Sequence, residues 1–216
     1  FTLAASIDLD TEKNPRDAEI FEEYFPDMVH LLKNKDYENN PYLKNIKIPT
    51  KKLGKWELCY KTYVPYQAFV FDDPKITRDG KIIPQIGFFE KEFSYPAVLE
   101  SGTEWMLITP NEINTMRAPI SGAHGKVLTY GLGLGYFAYM VSEKESVSSV
   151  TIVERDKNAI SLFRDIILPQ MPRKDKINII CDDAFYFAET RLADSDFDFV
   201  FADIWHDPSD GVPAYN

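Results

Sequence analysis

The sequence contains little cysteine, no long apolar run and no excess of positive charge. Its only two cysteines, Cys59 and Cys181, lie far apart, so neither a disulfide framework nor a thiolate metal site is expected. The uncharged, mostly apolar run at residues 127–141 is shorter than the roughly 20 residues that a membrane-spanning helix needs. The net charge of −10 disfavours attraction to nucleic acid or to an anionic membrane. We therefore expect a cytoplasmic protein with neither kind of partner.

The glycines that are present are concentrated at one point of the chain. Gly131, Gly133 and Gly135 alternate between a predicted buried strand, residues 127–130, and a predicted helix that begins at Tyr136. Alternating glycines allow positive φ angles and let the backbone approach a ligand closely. The start of a helix also offers free N–H groups to an anionic group. The loop is therefore a candidate ligand site.

A second predicted strand, residues 150–154, ends in Glu154. Nucleoside-binding βαβ units place at this point the acid that accepts hydrogen bonds from ribose hydroxyls. A dinucleotide fingerprint has a further glycine three residues after its second glycine, and Tyr136 stands at that position. Because Tyr136 would crowd a pyrophosphate, the spacing disfavours NAD and favours a smaller nucleoside ligand.

Four segments together resemble the class I S-adenosylmethionine-dependent methyltransferases, and within them the spermidine-synthase-like branch. They are the glycine loop VLTYGLGLG, the strand end TIVERD, the run IICDDA at 179–184 and the run DFVFAD at 198–203. The resemblance implies an α/β fold with a Rossmann-like sheet, S-adenosylmethionine (SAM) as cofactor, and methyl transfer to a small-molecule acceptor. Members of the family normally have three more strands after the fourth, so we expect the domain at 110–216 to be incomplete at its C-terminal end.

The resemblance also implies roles for individual residues. Arg155 would cover one face of the adenine, and Asp183 would accept a hydrogen bond from the adenine amino group. An alternative is that Asp182 and Asp183 serve only as helix caps, and that Arg155 points to water. The predicted cofactor-binding residues are Gly131, Gly133, Gly135, Glu154, Arg155, Asp182, Asp183, Ala184 and Asp203.

Asp203 and His206 are the predicted catalytic residues. Asp203 ends the fourth predicted strand at the carboxyl edge of the sheet, where ligands of such sheets bind, so it could act as a base or orient an amine. His206 is the only nearby histidine that could change its charge near neutral pH. We predict no metal, although an alternative assigns Asp203, His206 and Asp207 to a divalent ion.

Two rival functions stay open at the level of sequence. One is aminopropyl transfer from decarboxylated SAM. The sequence pattern of aminopropyltransferases has an acid, two small residues and then Asp-Pro. Here Ile204, Trp205 and His206 separate Asp203 from Asp207, so the segment is longer and bulkier and favours a small flat acceptor. The other rival is a nucleoside-binding module without catalysis. A homodimer is compatible with either.

The sequence before the glycine loop is divided into two segments. Residues 1–54 are predicted to form a helical segment and a linker, because Asn14-Pro15 is a helix start and apolar residues follow at helical spacing to Leu32. This helix is interpreted as a packing helix, with a lid over the substrate as the alternative. Residues 39–55 are rich in Asn, Pro, Lys and Thr and are interpreted as a linker.

Residues 55–109 are predicted to form a small β-rich segment before the nucleoside-binding domain at 110–216. Trp56 to Tyr60 alternate as a half-exposed strand does, and residues 85–108 suggest a β-meander. Tyr66-Gln67 invites comparison with a Tyr-Gln pair near the amine site of the spermidine-synthase-like family, with a tyrosine on a strand face as the simpler account. Thr109 to Glu112 form a capping box, which predicts a short helix over 110–116.

Overall fold

The computed structural model describes residues 9–193 and 195–204. Elements are numbered in chain order. The strands are β1 (Val29–Leu32), β2 (Lys51–Leu53), β3 (Trp56–Tyr63), β4 (Phe69–Ile76), β5 (Ile82–Phe89), β6 (Phe93–Glu100), β7 (Thr103–Leu107), β8 (Gly125–Tyr130), β9 (Val147–Glu154), β10 (Ile177–Cys181) and β11 (Phe199–Ala202). The α-helices are α1 (Pro15–Tyr24), α2 (Asn34–Glu38), α3 (Pro41–Asn45), α4 (Pro110–Thr115), α5 (Arg117–Gly122), α6 (Tyr136–Ser142), α7 (Lys157–Leu162) and α8 (Ala184–Phe187).

The chain folds into two compact units built from discontinuous stretches. Unit 1 contains the residues up to Tyr37, Thr62–Phe93 and Thr109–Thr115, and unit 2 contains Glu38–Lys61, Ser94–Ile108 and the residues from Met116 onwards. The sequence analysis divides the chain differently, into three consecutive segments with boundaries at residues 54 and 109. That division stays a prediction.

A four-stranded parallel sheet in the order β10-β9-β8-β11 organises unit 2. Numbered from β8, this is the order 3-2-1-4 that begins a doubly wound nucleotide-binding sheet. The fold is therefore α/β with a Rossmann-like sheet, as predicted. Because β8 has β9 on one side and β11 on the other, the strand order reverses beside β8, and ligands of such sheets bind in the crevice at that reversal.

Local sequence explains how the parallel sheet is connected. Asp156 caps α7 by accepting hydrogen bonds from the Asn158 and Ala159 amides at 2.8 and 3.2 Å. Apolar spacing predicts helical structure from Asp156 to Leu168, and this is confirmed: after α7 the chain continues as a π-turn, Phe163–Ile167, and a 3₁₀ turn that begins at Leu168. On one face of the sheet a buried cluster contains Leu128, Tyr130, Val153 and Phe187.

The last strands also differ in part from the predicted ones. The apolar run predicts a buried strand over Ile177–Cys181; β10 has these bounds, but Cys181 at its end is exposed. β11 is shorter than the predicted segment and ends one residue before Asp203.

A second sheet in unit 2 is antiparallel, in the order β2-β3-β6-β7. The predicted meander over 85–108 is wrong, because β5 belongs to unit 1 while β6 and β7 belong to this sheet. The predicted linker at 39–55 is also wrong, since it contains α3 and β2. Asn40 caps α3, with its side-chain oxygen accepting the Tyr42 amide at 2.9 Å.

Unit 1 contains a three-stranded sheet in the order β1-β5-β4. The predicted helix start is confirmed, because Asn14 accepts a hydrogen bond from the Arg16 amide at 3.0 Å and Pro15 opens α1. The helical interpretation beyond Pro26 is wrong: Val29–Leu32 forms a strand parallel to β5. Tyr66 lies in a turn with φ of 63°, and not on a strand face.

The helix predicted after Thr109 is confirmed as α4. The Thr109 hydroxyl accepts the Glu112 amide at 3.4 Å, which is one half of the predicted capping box. None of the helices within residues 9–193 and 195–204 has both the length and the apolar character needed to cross a membrane.

The buried carboxylate of Asp17 gives a test of unit 1. It accepts hydrogen bonds from Lys81 Nζ at 2.6 Å and from the Asp10 amide at 3.0 Å, and these lower the pKa of Asp17 below its ordinary value of 3.8. A depressed native pKa stabilises the fold above the unfolded pKa, and this stability is lost as the pH falls through the native pKa. We expect Asp17→Asn to lower the free energy of unfolding at pH 7, measured by urea denaturation.

The loss should shrink as the pH falls below the ordinary value, because the native carboxyl is then protonated as well. Asp36→Asn, which changes an exposed aspartate of the same unit, should have little effect at any pH. Equal losses in both variants would contradict the role of the Asp17–Lys81 contact.

Candidate functional site

The glycine loop follows β8, as predicted, and all three glycines have positive φ angles, of 90°, 48° and 70° for Gly131, Gly133 and Gly135. A β-carbon added at Gly131 would lie 2.1 Å from the Asp203 carbonyl oxygen. One added at Gly133 would lie 2.1 Å from the sulfur of Met106. Packing within the protein therefore requires glycine at positions 131 and 133. The chain after β11 and the Met106 side chain of β7 occupy the space that a β-carbon at these positions would need.

Four of the loop amides donate hydrogen bonds within the protein. Gly131 donates to the Val153 carbonyl at 3.0 Å, and Gly135 donates to the Leu132 carbonyl at 2.7 Å. Leu132 donates to Glu154 Oε2 at 3.2 Å, and Leu134 to the sulfur of Met106 at 3.0 Å. These four amides are therefore not free to bind an anionic ligand, and the expected role of the helix start stays a prediction.

The buried side chain of Tyr42 binds a backbone carbonyl of the same loop. Its hydroxyl donates to the Leu134 carbonyl at 2.6 Å, and complete burial raises the pKa of this phenol far above its ordinary value. The Tyr42 ring also packs edge-on against Tyr136 and Tyr139, with centroid distances of 5.5 and 5.4 Å. The loop therefore has a fixed shape set by contacts on both sides.

Glu154 is the last residue of β9, where the sequence predicted an acid beside the glycine loop. Its Oε1 accepts the Asp156 amide at 2.8 Å, and its Oε2 accepts the Leu132 amide at 3.2 Å. One carboxylate thus joins the loops that follow β8 and β9. Each oxygen keeps a second lone pair, so the group can still accept hydrogen bonds from a ligand.

The predicted adenine residues follow β9 and β10. Arg155 is exposed. Asp183 caps α8, because its Oδ1 accepts the amides of Phe185 and Tyr186 at 3.0 and 3.1 Å, and its contact with adenine stays a prediction. Ala184 begins α8 and packs against the buried cluster of the parallel sheet.

Asp182 does not cap the helix. Its Oδ1 accepts the Asp183 amide at 3.0 Å, and its Oδ2 lies 3.3 Å from Arg191 Nη2. The Asp182 amide donates to the Glu154 carbonyl at 3.1 Å, so the ends of β9 and β10 meet at one edge.

Asp203 directly follows β11, on the other side of the strand reversal. Its amide donates to the Tyr130 carbonyl at 3.0 Å, and burial raises the pKa of its carboxyl above the ordinary value. His206 and Asp207 lie outside the described residues. Among residues 9–193 and 195–204, no three His, Cys, Asp or Glu side chains are grouped so that they could hold a metal ion.

A cleft in unit 2 adjoins Gly133 and Glu154. Its cavity volume is about 20 Å³, room for about one water molecule. Its remaining lining residues are Trp56, Leu58, Val98, Trp105, Ala159, Leu162, Phe163 and Ile167. Asp182, Asp183, Ala184, Arg155 and Asp203 do not line it, so the structure brings only part of the predicted site to this cleft.

The two tryptophans and Met106 were not predicted as site residues. The apolar residues at alternate positions 56 and 58 could have predicted that Trp56 and Leu58 share a surface, because residues two apart on a strand point to the same face. The contact of Met106 with Gly133 joins residues far apart in the sequence, so no local sequence pattern predicts it.

Comparison with known proteins gives no family assignment. No protein-family model matches the chain, and no curated protein matches it. The chain is similar to the spermidine synthase of Thermotoga maritima, with 19% identity and a TM-score of 0.38, over 51% of this chain and 44% of that chain.

Two further solved structures are similar at the same level. One is a protein from Streptococcus mutans provisionally named a SAM-dependent methyltransferase, with 17% identity and a TM-score of 0.35, over 50% of this chain and 29% of that one. The other, provisionally named a methyltransferase and complexed with SAH, has 17% identity and a TM-score of 0.32, over 50% and 28%. The chain spans less than half the length of each structure, and the fold assignment rests on the strand order described above.

The close approach at Gly131 is testable with a matched glycine. Gly102, in the turn between β6 and β7, has φ of 88° and no atom within 4 Å of an added β-carbon. Gly102→Ala should lower the free energy of unfolding by about 1–2 kcal/mol, the strain of a left-handed residue. Gly131→Ala should lower it further, because the Asp203 carbonyl is backbone and cannot rotate away. Equal losses in urea denaturation would refute the packing account of Gly131.

Proposed function

We propose that the chain binds SAM at the carboxyl edge of the parallel sheet and transfers its methyl group to a small-molecule acceptor. One observation carries the proposal: Glu154 lies at the strand reversal and accepts the Leu132 amide of the glycine loop at 3.2 Å. In doubly wound sheets this is the place where a carboxylate binds the ribose hydroxyls of a nucleoside.

The residues present fit such a cofactor in part. Glu154 has one free lone pair on each oxygen for the ribose. Asp183 accepts both capping bonds at Oδ1, which leaves Oδ2 out of the cap and able to accept from the adenine amino group. Gly133 lies in the glycine loop and borders the small cleft beside Glu154. Four amides of the glycine loop are engaged within the protein and are not free to bind a pyrophosphate, which favours SAM over NAD.

Bound SAM would supply an electrophilic methyl carbon on a positively charged sulfur. In the proposed reaction the carbon–sulfur bond breaks, a bond from the acceptor oxygen or nitrogen to carbon forms, and the acceptor loses a proton. Asp203 is the candidate for receiving that proton, because burial raises the pKa of its carboxyl and a carboxylate with a raised pKa is a stronger base. Its place directly after β11 puts it at the edge where ligands bind.

Aminopropyl transfer would use the same nucleoside site, so the products separate the two reactions. Incubation with SAM or its decarboxylated form and a panel of phenols, amines and polyamines should give S-adenosylhomocysteine if a methyl group moves. Methylthioadenosine would indicate aminopropyl transfer. In Asp203→Asn we expect turnover to fall while cofactor affinity is kept. Equal turnover would show that Asp203 is not the base, and no product from any acceptor would favour a binding module.

The cofactor assignment is tested by calorimetric titration with SAM, decarboxylated SAM and NAD in parallel. Glu154→Ala should weaken binding of the preferred ligand by about 1.5–3 kcal/mol, the scale of a hydrogen bond to a charged group. Glu145→Ala removes an exposed acid of the same unit and should leave the affinity unchanged.

Because Glu154 also holds two backbone amides, circular dichroism must show that the variant is folded at the titration temperature. Glu154→Gln keeps an acceptor oxygen and should fall between the parent and Glu154→Ala. Unchanged affinity in a folded Glu154→Ala variant would remove the ribose assignment.

A further inference from the structure

The sulfur of Met106 binds the middle of the glycine loop. Met106 lies on β7, in the same unit as the loop, and its thioether accepts the Leu134 amide at 3.0 Å. Gly133 makes this approach possible, because a β-carbon at that position would overlap the sulfur. The Tyr42 hydroxyl donates to the carbonyl of the same Leu134 at 2.6 Å. Leu134 is therefore held by both of its backbone groups, and one of the two bonds depends on a sulfur atom.

A thioether differs from the other acceptors of the loop because it can be oxidised. Oxidation to the sulfoxide converts a flexible apolar side chain into a polar one and is reversible by methionine sulfoxide reductases. The new oxygen takes up a lone pair of a sulfur that already lies against Gly133 and the Leu134 amide. Because the loop leaves no space on this side of the sulfur, oxidation at Met106 should break its contact with the Leu134 amide.

The methionines of the chain differ in their exposure. The sequence has five, of which Met28, Met116 and Met171 are buried. Met106 and Met140 are partly exposed. Because an oxidant must reach the sulfur from solvent, we expect these two to be oxidised before the buried three. Met140 lies in α6 of the same unit and serves as a matched control.

We infer that Met106 is an oxidation site through which a peroxide loosens the glycine loop. In this reaction a sulfur lone pair attacks one peroxide oxygen, the oxygen–oxygen bond breaks, and a sulfur–oxygen bond forms. Sulfur is oxidised by two electrons, and the second oxygen of hydrogen peroxide leaves as water. The inference goes beyond the transferase proposal and does not depend on it, because the loop is observed without any cofactor.

The experiment uses the full chain with Cys181→Ser, because Cys181 is an exposed thiol that a peroxide would also oxidise. This parent is treated with hydrogen peroxide, and peptide mass spectrometry follows the sulfoxide at Met106. Nuclear magnetic resonance follows hydrogen exchange of the Leu134 amide. We expect this exchange to become about fivefold faster as Met106 is converted, the scale of one lost hydrogen bond. The effect stays moderate because Tyr42 still holds the Leu134 carbonyl.

Two matched substitutions in this parent assign the response to one sulfur. Met106→Leu keeps an apolar side chain of similar size without sulfur, so peroxide should leave its Leu134 exchange unchanged. Met140→Leu should respond to peroxide as the parent does. If Met106→Leu does not fold, reversal decides the question in Met140→Leu. Treating the oxidised protein with methionine sulfoxide reductase and a thiol reductant should then restore slow exchange as the Met106 sulfoxide disappears.

The inference is overturned if Met106 stays unoxidised at a peroxide concentration that converts free methionine in the same solution. It is also overturned if Met106 is converted while exchange at Leu134 stays unchanged, or if Met106→Leu responds to peroxide as strongly as the parent.

Discussion

The carboxylate of Glu154 is the contact on which the candidate site depends. It joins the loops after β8 and β9 by accepting one backbone amide from each. Hydrogen bonds to a charged group are among the stronger ones in proteins, and here they hold the backbone at the point where the strand order reverses. The same residue lines the small cleft of unit 2, so the shape of the loop and the proposed cofactor site both depend on one side chain.

The glycine loop has a structural role that is separate from any ligand. Gly131 lets the chain after β11 approach β8, and Gly133 lets Met106 approach the loop. Tyr42 then holds the Leu134 carbonyl. These contacts fix the loop before a ligand arrives, and a preformed site loses less free energy to ordering when it binds. A glycine-rich loop can thus be required by packing and still border a ligand site.

Local patterns in the sequence predicted the parallel sheet well and the first half of the chain poorly. The end of β8, the start of α6 and the acid that ends β9 follow from glycine spacing and apolar runs, which act over a few residues. Local spacing predicts helix at Val29–Leu32, because four adjacent positions fit both the helical and the strand periodicity. Pairing with β5 makes this segment a strand. Contacts such as Met106 with Gly133 join distant residues, so no local pattern could predict them.

The account is tested most directly by hydrogen–deuterium exchange of the full chain with and without SAM. Its central claim is that the nucleoside lies against the loops after β8, β9 and β10. We predict slower exchange on adding SAM in residues 131–135, 154–156 and 182–185, with little change in the strands of unit 1. Protection confined to other segments, or none at a SAM concentration that saturates calorimetric binding, would contradict the claim.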